Sequence, residues 1–190
     1  MQEYLDFSPV IDGDHPAVAA KAAELAHGAP TQHELVRRCF EFVRDQVKHS
    51  RDYMLGPVTC KASDVLQHGT GYCYAKSHLL AALLRANGVP TALCYQRLSC
   101  GDKGAPYCLH GLNAVHLDGH GWYRIDARGN KPGVDAQFVP PREQLAFPIQ
   151  DEHERDLPGL YAEALPQVVD VLTTCTTVDE VARNLPDLPQ

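Results

Sequence analysis

Residues 68–90 constrain the fold more than any other stretch of this chain. His68-Gly69-Thr70-Gly71 breaks the backbone, a run of helix formers occupies residues 72–86, and Asn87-Gly88 with Pro90 stops it. Leu79, Leu80, Leu83 and Leu84 recur there as an apolar stripe, so the segment predicts a long helix with a face to bury. Its first turn holds Cys73. At a helix start the unpaired N–H groups and the positive end of the macrodipole favour an anion, so a thiolate is stabilised there. The same N–H groups lie where an acyl oxyanion would form. The plainer reading is that Cys73 is a small core residue, since cysteine is among the most buried types. Only a partner decides between the two.

After Pro90 the period changes. Residues 91–98, 109–117 and 122–127 are short, rich in aromatic, β-branched or apolar side chains, and divided by Gly, Asp and Pro, which predicts three antiparallel strands. His110 lies early in the second strand and Asp126 late in the third. An imidazole can take a thiol proton and later return it to a leaving group near neutral pH, and a carboxylate can hold that imidazole in place. His116 and His120 are rivals, but they flank the turn signal Asp118-Gly119 at the far end of the hairpin and read as solvated turn residues.

The hairpin loop decides whether Asp126 can reach His110. Side chains alternate faces, so an even-numbered loop pairs Leu117 with Trp122 and sets Asp126 opposite Asn113, away from the face of His110. An odd loop or a bulge changes the parity and brings both side chains to one face. Gly119 and Gly121 permit the positive φ angles such a loop needs, so an odd offset is predicted.

With these residues in view, the chain resembles the transglutaminase-like superfamily of papain-related cysteine enzymes. The first block is Gly71-Tyr72-Cys73, the apolar helix, then Leu83-Leu84-Arg85-Ala86-Asn87-Gly88-Val89-Pro90-Thr91 leading into a strand; the second is His110, Gly121-Trp122 and Asp126. The resemblance covers about residues 60–130 and implies Cys73 as nucleophile, His110 as general acid/base and Asp126 as its orienter, with a thioester intermediate. Two departures stand out: Gly111-Leu112-Asn113 follow the His, and Ala127-Arg128-Gly129-Asn130 follow the Asp, so substrate preference is not carried over. The implied reaction is hydrolysis of an amide or peptide bond in a peptide, protein or small amide. The alternatives are transfer to an amine, as in a transglutaminase or aminoacyltransferase, and a non-catalytic binding module on the same scaffold.

Weaker candidates surround this set. Gln67 and His68 are expected as possible oxyanion donors, by likeness to cysteine enzymes that place a donor upstream, or else as solvated helix-end residues. Tyr72, Arg124 and Arg128, with Lys131, are candidates for holding a polar group of the substrate. Cys94, Cys100 and Cys108 lack the spacing of a zinc site, and neither metal nor cofactor is expected.

Composition sets the remaining bounds. The 190 residues are 44% hydrophobic and 22% charged, enough for one sizeable core, so a single α+β domain over 1–190 is expected, with its core at about 31–130. The net charge of −7 offers no basic stripe for phosphates, and no nucleic-acid partner is expected. The start Met-Gln-Glu-Tyr-Leu-Asp lacks the basic and apolar run of a signal peptide, and no segment has membrane-spanning length, so a soluble, cytoplasmic chain away from membranes is expected. Its seven scattered Cys are expected as free thiols. Asp14 is placed to cap a helix over 14–26, and Thr31 with Glu34 forms a capping box for a second, carrying Leu35, Cys39, Phe40, Val43 and Val47. Residues 50–60 read as a loop, 62–67 as a short helix, 131–166 as a proline-rich surface wrap, and 168–174 and 178–184 as small helices.

Overall fold

Helix formation begins where the chain can satisfy its first N–H groups. In a computed structural model describing residues 1–101 and 103–188, α1 (Pro16–Ala26) starts on a proline, and the cap is the His15 side chain, accepting from the Ala17 N–H. Asp14 does not cap it. Thr31 caps α2 (Gln32–Glu41) by accepting from the Glu34 N–H at 3.2 Å, but the Glu34 carboxylate turns to Arg37 and Arg38, each at 2.8 Å, so only half the capping box forms. A wide turn, Phe42–Gln46, extends α2 into β1 (Lys48–His49) and the one-turn α3 (Ser50–Tyr53). The region read as a loop therefore contains structure. α4 (Ala62–His68) ends on Gly69 at φ +63, and β2 (Thr70–Gly71) pairs parallel to β1, with His49 opposite Gly71.

α5 (Cys73–Ala86) follows at once, and burial covers its whole circumference, from Cys73 to Arg85, rather than one stripe. It lies between α1, α2 and α4 on one side and the sheet on the other. Leu79, Leu80, Leu83 and Leu84 are all 0% exposed, each contributing about 1.5–3 kcal/mol by leaving water. Polar groups inside this shell need partners. Lys76 Nζ donates to the Val47 carbonyl at 2.5 Å, His78 Nδ1 meets the Cys60 carbonyl at 2.8 Å, and Arg85 donates to the carbonyls of Asp6, Thr91 and Ala162. Lys76 thereby ties the first turn of α5 to the chain entering His49.

β3 (Thr91–Ser99), β4 (Tyr107–Leu117) and β5 (Gly121–Ile125) form the expected antiparallel meander. The segment expected to wrap the surface does more: after the β6–β7 hairpin (Gln137–Val139 and Arg142–Gln144), β8 (Arg155–Asp156) adds a fourth strand beside β3. Tyr161 then exchanges both backbone hydrogen bonds with Leu93. α6 (Pro166–Thr174) and α7 (Val178–Arg183) close the chain, Thr177 and Glu180 forming a full capping box on α7. The architecture is α+β.

Candidate active site

Three local facts bring the site together. α5 begins at Cys73 with no side-chain cap, because Tyr72 cannot supply one, so its first N–H groups remain directed at whatever fills the space before them. β5 stops at Ile125 opposite Asn113, and just past that level the Gly111 N–H of β4 donates to Cys73 Sγ at 3.5 Å. The hairpin loop Asp118-Gly119-His120 has three residues, closed by Leu117 opposite Gly121, with both glycines at positive φ. That is the odd offset: the register, continued one residue beyond β5, sets Asp126 opposite Leu112 and on the face of His110. Asn113 faces the other way, its amide donating to the Ser77 carbonyl.

Asp126 is fully buried, and Oδ2 lies 2.7 Å from His110 Nε2. The N–H groups of Ala146 and Arg128 donate to the same carboxylate at 3.1 Å each. Burial alone would raise this carboxyl, but the imidazolium and these hydrogen bonds hold it below the usual carboxylate range. For His110, burial alone would push the imidazole down; the Asp126 carboxylate, then the Cys73 sulfur on its other side, outweigh that and raise it to about 10. With Nε2 occupied by Asp126, Nδ1 is the ring nitrogen left for Cys73. The Phe147 ring stands edge-on to His110 at 5.1 Å and shields the pair from water.

Cys73, 8% exposed, opens on a cavity of about 460 Å³ whose wall includes His49, Tyr72, Cys108, His110, Arg128 and Phe147. Of the candidate substrate-binding residues, Tyr72 lines it with its hydroxyl donating to the Val178 carbonyl at 2.6 Å. Arg128 also lines it, both guanidinium arms on Asp52 at 2.6 and 3.0 Å. Arg124 is not brought to this cavity. It stands opposite Ala114, further up the sheet, where Glu143 and Asp156 take its guanidinium at 2.8 Å each. Nor do Gln67 and His68 reach it: both are exposed at the end of α4 and neither lines the cavity. The residue that sequence reasoning missed is His49, whose only signal was a lone histidine in a segment with little local pattern.

The close approach of α5 to β4 explains the departure at position 111. A Cβ on Gly111 would stand 3.1 Å from Tyr74 Cα and 3.3 Å from Tyr74 N, backbone atoms that cannot step aside. Gly111→Ala is therefore expected to cost about 1–3 kcal/mol of stability and to displace the helix start bearing Cys73. A denaturant melt beside an assay of Cys73 alkylation checks it; unchanged values in both would show that the helix has room to move.

A cysteine at a helix start, facing a histidine held by a buried aspartate across an antiparallel sheet, places the chain among α+β proteins with a papain-like core. The family model described as the transglutaminase-like superfamily matches residues 19–127, more than half of the chain, and the chain belongs to that superfamily. No curated protein matches it in sequence. Among solved structures it is similar to a candidate cysteine protease from Cytophaga hutchinsonii, at 20% identity and a TM-score of 0.53, over 66% of this chain and 40% of that one. It is also similar to the periplasmic domain of TgpA from Pseudomonas aeruginosa, at 21% identity and a TM-score of 0.49, over 65% of this chain and 45% of that one. The match thus spans less than half the length of either solved chain, and at such identity the likeness is one of fold.

Proposed function

We propose that this chain is a cysteine-dependent acyl-transfer enzyme that hydrolyses an amide or peptide bond through a thioester on Cys73. The observation that carries this reading is the buried Asp126 Oδ2 at 2.7 Å from His110 Nε2, with His110 lining one cavity beside Cys73 at the start of α5. The thiolate attacks the acyl carbon, and the oxyanion that forms is met by the free N–H groups at the start of α5. His110, held protonated by Asp126, gives its proton to the leaving nitrogen as the C–N bond breaks. Water then attacks the thioester, His110 takes its proton, and the C–S bond breaks to return the thiolate. Asp126 keeps the ring oriented and stabilises its charge throughout.

The reading is tested by ranking the thiols. Cys39, Cys60 and Cys94 are buried, and burial pushes their thiols up, to about 12, 11 and 12, so they alkylate slowly. Cys73 is expected to react with dilute iodoacetamide at pH 7 at least about tenfold faster than any of the other six, because it alone joins a helix N-terminus to a histidine. Mass mapping that found Cys100 or Cys175 labelled first would contradict the proposal.

A further inference from the structure

A second histidine faces the same cavity. The β1–β2 ladder sets His49 opposite Gly71, two residues before the nucleophile, and its ring packs edge-on to Tyr72 at 5.5 Å. The residue is 7% exposed and lines the cavity beside Cys73. Its Nδ1 is buried without a hydrogen-bond partner, and Asp52 Oδ2 lies 3.7 Å from it. Asp52 cannot turn to it, being held by Arg128 at 2.6 and 3.0 Å and by Lys131 at 2.7 Å, contacts that outweigh burial and keep its carboxyl down at about 2.

Burial first, and the Arg128 guanidinium second, hold His49 well below its ordinary value, so the ring is neutral near pH 7. A neutral imidazole carries one N–H and one lone pair. A lone pair on Nδ1 would point at a carboxylate, so the proton resides on Nδ1 and the lone pair on Nε2. Among the described residues no hydrogen bond engages Nε2, and its edge of the ring is the one left for the cavity. The site therefore presents two imidazoles of opposite character: His110, charged and donating, and His49, neutral and accepting.

We propose that His49 is a further catalytic residue, whose Nε2 accepts one hydrogen of the incoming water while His110 removes the other. This rests on the thioester reading. The oxygen–carbon bond forms as the O–H proton passes to His110, and collapse expels the Cys73 thiolate; His49 gains and loses no proton but aligns the attacking oxygen. Its contribution therefore falls on deacylation and spares acylation.

p-Nitrophenyl acetate separates the two steps, since the burst of p-nitrophenolate reports acylation of Cys73 and the steady rate reports its hydrolysis. In His49→Phe the burst rate is expected to stay within about twofold of wild type while the steady rate falls about tenfold, one hydrogen bond's worth, and acetyl-Cys73 accumulates by mass spectrometry. His49→Gln, with an acceptor oxygen, should recover part of the loss. An unslowed steady rate in His49→Phe would overturn the role, as would loss of the burst with the turnover, which would make His49 a group of the acylation step. Should His49→Phe fail to fold, His49→Leu against His49→Gln poses the same question. Undiminished turnover of p-nitrophenyl acetate by Cys73→Ala would overturn the thioester reading itself.

Discussion

Cys73→Ala is expected to lower turnover by on the order of 10⁴-fold or more while leaving stability within about 1 kcal/mol of wild type. The two halves have separate physical causes. Activity collapses because among the described residues Cys73 is the sulfur that acts on His110, and the helix N–H groups then have no acyl oxyanion to stabilise. Stability holds because alanine favours a helix, removes only one sulfur atom from a side chain that is 8% exposed, and leaves the buried face of α5 unchanged. The ester assay beside a thermal melt checks both. Turnover retained by the purified variant would remove Cys73 from the mechanism, and a lost melt would mean that the sulfur is structural.

The second large effect is expected from Asp126→Asn, at about 10³–10⁴-fold in turnover with about 1–3 kcal/mol lost in stability. The carboxylate accepts from three donors: His110 and the Ala146 N–H on Oδ2, and the Arg128 N–H on Oδ1. An amide has one accepting oxygen, so whichever way it is turned its NH₂ group meets a donor. With the charge gone, burial is opposed only by the Cys73 sulfur and the imidazolium is less favoured. The pH dependence follows with a definite sign. A folded-state value raised from 6.5 to about 10 gives stability that is complete below about pH 6.5 and lost as pH rises to about 10. The thermal midpoint of the wild type should therefore decline across that window more steeply than that of Asp126→Asn. Parallel slopes would show that the aspartate does not hold the proton on His110.

The site residues that were legible in the sequence are those whose local signal and partner signal agree. Cys73 sits between two chain breakers and an apolar helix, and His110 and Asp126 sit on strands whose loop carries the two glycines an odd register requires. Where only one signal existed, the outcome was mixed: Tyr72 and Arg128 line the cavity, and other candidates stand away from it. Gln67 and His68 are near Cys73 in sequence, yet the positive φ of Gly69 and the β1–β2 ladder turn them outward. Arg124 precedes Asp126 by two residues, but Glu143 and Asp156, distant in sequence, hold its charge further up the sheet.

The long helix, the strand meander and the parity of the hairpin were legible in the sequence because each depends on period, turn chemistry and neighbours a few residues away, while the choice of Cys73, His110 and Asp126 among seven Cys and ten His rested also on the family resemblance. Tertiary structure alone decided that α5 is buried all round, that β8 completes the sheet, and that His49, tied to Gly71 by a two-residue parallel ladder, shares the cavity with Cys73. The physical reason is that burial and charge depend on contacts between segments far apart in the chain. Lys76, His78 and Arg85 lie outside the leucine stripe, and their burial depends on the carbonyls of Val47, Cys60 and Thr91, which only the fold brings to them.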